Sequence, residues 1–88
     1  MALDTDKLTR LIKATEEYIF QLDKHKQNLE EAIDTCDRYM RQDSVYKKQK
    51  PKLEDAIDQI NRSKQTAVNM KIRLEEKWKT LVLFIAEN

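Results

Sequence analysis

Apolar side chains recur at seven-residue spacing in two blocks, and the only proline of the chain, Pro51, stands between them. In the first block Leu8, Leu22, Leu29 and Cys36 form one series, broken at Thr15, and Ile12, Ile19, Ile33 and Met40 form a second, offset by four and broken at Lys26. In the second block Leu53, Ile60, Ala67, Leu74 and Leu81 run unbroken, with Ile57, Trp78 and Ile85 each four residues after a member of that series; Lys64 and Lys71 interrupt this second row. A 3.5-residue apolar period is the seam of helices that pack side by side in a coiled coil. Glycine is absent, so tight hairpin turns and phosphate-cradling loops lack the residue that usually builds them. The expected fold is all-α.

Asp4 or Thr5 is the expected N-cap of a first helix over about residues 5–42, and Pro51 suits the first turn of a second helix over about 51–87, where its missing N–H goes unnoticed. Glu54 and Asp55 then sit near the positive end of that helix dipole. The bend is expected over about 43–50, with the Asp43-Ser44 pair capping a short extra turn and Lys50 held out of helical geometry by the following proline. Two arms of similar length with a short link read as an antiparallel two-helix hairpin, a single unit over residues 1–88, each arm about 55 Å long. Folding between Tyr46 and Lys47 pairs Met40 with Leu53, Ile33 with Ile60, Ile19 with Leu74, Ile12 with Leu81 and Leu8 with Ile85. It also sets Trp78 against the small Thr15, and leaves a polar waist where Leu29 meets Lys64, Lys26 meets Ala67 and Leu22 meets Lys71. The expected hairpin core is therefore Leu8, Ile12, Ile19, Leu22, Leu29, Ile33, Met40, Leu53, Ile57, Ile60, Leu74 and Trp78.

Two helices cover only one stripe on each other, so apolar surface is left over. The flanking positions Leu11, Tyr18, His25, Ala32 and Tyr39 widen the first stripe on one side. Val68, Met70 and Ile72 spread beyond the second stripe, and Val82, Leu83 and Phe84 sit beside its last members Leu81 and Ile85; Val68, Ile72, Leu81, Val82, Leu83, Phe84 and Ile85 are the expected partner-binding residues. The bundle is completed either by dimerisation or by the helices of another protein.

Candidate chemistry is sparse. His25 and Cys36 are about 16 Å apart along a helix, too far for a shared ligand or a proton transfer, and read as a half-buried edge histidine and a small core residue. Glu16-Glu17, Glu30-Glu31 and Glu75-Glu76 are neighbours in sequence and diverge on a helix. No Glu-x-x-His motif of a four-helix di-metal site occurs. The expectation is a protein without catalytic or metal residues and without a cofactor.

Lys+Arg number 17 and Asp+Glu 16, giving a net charge of +1, yet the distribution is uneven. Residues 37–52 hold six basic and two acidic side chains, and Arg38, Arg41, Lys47, Lys48, Lys50 and Lys52 form a candidate anion-binding cluster beside Tyr39 and Tyr46. Nucleic acid or an acidic protein surface is the partner class such a cluster would meet, ranked behind a helical client because no overall basic excess accompanies it.

Asp4 and Asp6 stand where a secretory signal peptide would carry its basic and apolar regions, and the longest apolar run, Leu81 to Ala86, is far short of the roughly 20 residues of a membrane span. A cytoplasmic chain is expected, with export open only to routes that need no cleavable signal.

A helical hairpin of this length resembles the WXG100 proteins and the small partner proteins of LXG toxins in type VII secretion. Their Trp-x-Gly bend motif is absent: the segment Arg41 to Lys52 has no glycine, and the only tryptophan, Trp78, lies late in the second helix. Phe84 to Asn88 has the aromatic and the spacing of the family's C-terminal aromatic-x-x-x-acid signal but ends in an amide. Short type III secretion chaperones and needle-like subunits share the outline. What the resemblance implies is a non-enzymatic secretion partner, chaperone or targeting factor; a self-assembling coiled-coil subunit and a binder of anionic surfaces are the alternatives.

Overall fold

The computed structural model describes residues 5–87. They form two helices, α1 over Thr5–Tyr39 and α2 over Ser44–Glu87, joined by a four-residue link and packed antiparallel. The 44 residues of α2 span about 66 Å at 1.5 Å each. That accounts for nearly all of the 70 Å long axis; the cross-section of 17 × 15 Å leaves no room for a third layer.

The heptad positions are the shielded ones. On α1, Leu8, Ile12, Thr15, Ile19, Leu22, Lys26, Leu29, Ile33 and Cys36 are buried or half-buried, and on α2 so are Leu53, Ile57, Ile60, Lys64, Ala67, Lys71, Leu74 and Leu81. The core is nevertheless thin. Only Leu8, Cys36, Ile60 and Ala67 are buried among the described residues, and none of the larger side chains is fully enclosed. A fully buried Leu or Ile contributes about 1.5–3 kcal/mol, so a hairpin with two such residues is a lean structure.

Asp43 sets the bend. Its carboxylate accepts the Val45 N–H at 3.0 Å, the N-cap arrangement, and its carbonyl accepts the Tyr46 N–H at 3.3 Å. At the other end of the link the Tyr39 carbonyl accepts the N–H groups of Gln42 and Asp43, at 3.0 and 3.2 Å, which closes α1. The rings of Tyr39 and Tyr46 then meet across the bend, with centroids 5.7 Å apart. No described residue has positive φ, so the link needs no glycine.

Three boundary expectations are corrected by this geometry. Helix α1 stops at Tyr39 rather than near 42, which leaves Met40 half-buried in the turn. Residues 44–50, expected as the bend, are the first two turns of α2, because the Asp43 cap starts the full helix rather than a short extra turn. Pro51 consequently lies inside α2, where the Lys47 carbonyl loses its usual donor on an exposed stretch of helix. The N-cap candidate Asp4 lies outside the described residues, and Thr5 is already helical.

Moving the bend toward the N-terminus moves the register by about a heptad. Lys64, expected beside Leu29, pairs with Asp23, and Lys71, expected beside Leu22, reaches Glu16. Thr15 shares a groove with Ala67 rather than facing Trp78, which is 36% exposed instead of anchoring the core. Ile85, expected to cover Leu8, is 50% exposed.

Candidate interaction surfaces

Viewed down its length, the seam has two unlike flanks. On one, Glu16, Asp23, Glu30 and Asp37 follow one another at heptad spacing on α1. Lysines at the α2 seam positions 50, 64 and 71 reach three of these acids: Lys50 Nζ lies 2.7 Å from Asp37 Oδ1, Lys64 Nζ 2.7 Å from Asp23 Oδ1, and Lys71 Nζ 4.0 Å from Glu16 Oε1. The lysine stems cover the seam while the heads reach its edge. The Asp37 carboxylate raises the Lys50 ammonium above its ordinary pKa, by hydrogen bonding first and by charge second. In the sequence Lys64 and Lys71 look like gaps in the stripe; the matching seven- and fourteen-residue spacings of acids and lysines were the missed signal.

The other flank carries the α1 positions Leu11, Tyr18, His25, Ala32 and Tyr39. Here the helices leave an open groove of about 490 Å³ between them, within the size range of ligand sites. Ala14, Thr15, Ser63, Thr66 and Ala67 make its floor of small side chains, and Leu11, Tyr18, Arg62 and Met70 rise around it. Leu11, Tyr18 and Met70 are each half exposed. The Thr15 hydroxyl donates to the Leu11 carbonyl at 2.8 Å and the Thr66 hydroxyl to the Arg62 carbonyl at 3.1 Å, so neither threonine offers its proton to a ligand. His25 is exposed on the same flank, not half-buried, while Cys36 is buried as expected.

A third surface is the C-terminal end of α2. From the shared bend, α1 runs back 35 residues to Thr5 and α2 runs 44 to Glu87, so α2 extends about 13 Å past Thr5. Its seam continues through Leu81 and Ile85 after the described part of α1 has ended. Exposure rises along it: Leu81 and Val82 are half-buried, whereas Leu83, Phe84 and Ile85 are 62%, 56% and 50% exposed. Of the other expected contacts, Ile72 is exposed and Val68 is half-buried on the flank opposite the groove.

The basic cluster lies at the bend, with Arg38, Arg41, Lys47, Lys48 and Lys52 exposed. Lys50 departs from expectation, since its ammonium is engaged by Asp37. Among the described residues no group of three His, Cys, Asp or Glu side chains converges as a metal site, and no helix is long and apolar enough to cross a membrane.

The chain matches no protein-family model, no curated protein and no solved structure.

Proposed function

We propose that the chain is a non-enzymatic helical interaction module that binds a helical client protein, in the manner of a small secretion partner, chaperone or targeting factor made in the cytoplasm. The observation that carries this reading is the exposed apolar stretch at the end of α2, where the seam runs on past the described part of α1. Leu81 and Ile85 continue the heptad row of α2, and Leu83, Phe84 and Ile85 are half exposed or more. A heptad row of large aliphatic side chains is the surface into which another helix packs, knob into hole. A client helix lying along this stretch would continue the place of α1 in the pair.

Coexpression with the products of neighbouring genes tests the reading. A client should be retained by the wild-type chain and lost with the paired substitution Leu83→Asp and Ile85→Asp while helicity is unchanged. A client retained by that variant but released by charge reversal at Lys47 and Lys48 would move the function to the basic bend.

A further inference from the structure

The groove flank differs from the rest of the surface in charge. Along α1 it presents Leu11, Tyr18, His25, Ala32 and Tyr39, and along α2 the heptad row through Ala56, Ser63 and Met70, which continues to Lys77 and Phe84, lies on the same side; Arg62 at the rim is the only charged side chain lining the groove itself. The opposite flank holds the heptad acids and their lysines. An occupant of the groove therefore meets one positive charge, Arg62, among apolar and uncharged side chains, and is itself mainly apolar. The flank meets that description: its large side chains Leu11, Tyr18 and Met70 stand beside a floor of Ala14, Thr15 and Ala67, and large against small is the pattern by which a surface complements itself across a two-fold axis.

Area points the same way. A compact monomer of 10.5 kDa exposes about 5,400 Å² by the usual scaling of surface with mass. This chain exposes 7163 Å². A face as long as α1, about 52 Å, and as wide as the 17 Å cross-section covers about 900 Å², close to the roughly 800 Å² per partner of a stable interface.

We propose that the groove flank is a homodimer interface, on which a second copy of this chain seats groove to groove and closes four helices around Leu11, Tyr18 and Met70. This second surface does not rest on client binding by the C-terminal stretch of α2: Ile85 lies in the row that continues the seam, and the two surfaces meet at Phe84, the last member of the groove-flank row.

The test is the mass of the full chain by sedimentation equilibrium across a wide concentration range, read beside far-ultraviolet circular dichroism. The expected mass is twice 10.5 kDa. Tyr18→Glu and Met70→Glu, at exposed positions where the hairpin itself loses little, should each raise the dimer dissociation constant by about thirtyfold or more, the effect of removing a central anchor, with helicity retained. If a glutamate variant loses helicity, Tyr18→Ser and Leu11→Ser are read in its place. A monomer at every concentration overturns the proposal. So does a dimer indifferent to these substitutions but dissociated by Ile85→Asp, which would seat the second copy on the end of α2, or open-ended growth beyond two copies. Client capture through 81–85 by a monomeric chain would defeat the dimer and leave the client reading intact.

Discussion

Lys64 of α2 reaches Asp23 of α1 at 2.7 Å from within the seam, at the middle of three ion pairs whose members are spaced by fourteen and seven residues on both helices. That spacing fixes the register. If α2 slips by one heptad in one direction, Lys71 comes to Thr9; in the other, Lys50 passes the end of α1. Only the observed alignment gives all three lysines an acid, a role in which polar seam residues specify pairing rather than add to stability.

Charge reversal tests this relationship. Asp23→Lys should lower stability by about 1 kcal/mol or less, since both side chains of the pair are more than a third exposed. That corresponds to a fall of several degrees in the thermal midpoint for a chain of this size. Adding Lys64→Asp to the same chain should recover most of the loss. A double variant no better than Asp23→Lys alone would show that the two side chains do not interact.

Replacing the waist lysines with leucine separates stability from specificity. Lys64→Leu with Lys71→Leu makes the α2 seam apolar from Leu53 to Ile85, and should raise the thermal midpoint through about 1 kcal/mol of burial at each site. It should also yield larger or mixed assemblies in sedimentation velocity, because the register is no longer enforced. A lower midpoint with one sharp species would mean that the lysines serve stability.

The Lys50–Asp37 pair makes a contribution that depends on pH on the alkaline side. The folded ammonium has its pKa raised above 10.5 by Asp37, so the pair's contribution is fully present below that pH and is lost as the pH climbs through the folded value. The difference in thermal midpoint between the wild type and Lys50→Met should shift in favour of Lys50→Met as the pH climbs through the strongly alkaline range. A difference that stays constant across the alkaline range would exclude the pair as its source.

Pro51 should be a removable cost. An interior helical proline forfeits one hydrogen bond and crowds the carbonyl four residues before it, at about 3 kcal/mol. Pro51→Ala restores an N–H for the Lys47 carbonyl and should raise the thermal midpoint. A fall would mean that residues 44–50 are not continuous in one helix with residues 52–87.

The seam was legible because burial in a two-helix hairpin depends on little except the heptad: the rows from Leu8 and Leu53 are the rows the structure shields. The bend was harder to read. A proline rule placed the start of α2 at residue 51, but the helix starts at the Asp43 cap, beside the Tyr39–Tyr46 ring contact, and every pairing inferred from the fold point moved with it. The flank through Leu11 and Tyr18 could be seen in the spacing, whereas the groove beneath it could not. Its floor pairs residues about fifty apart in sequence, and that depends on the register.

Amide hydrogen exchange on the full chain, alone and with a helical protein that copurifies with it, addresses the proposed docking directly. The expected result is that the largest gain in protection falls on residues 79–87 of α2, with residues 38–52 at the bend unchanged. Protection gained at the bend and absent from the end of α2 would contradict it.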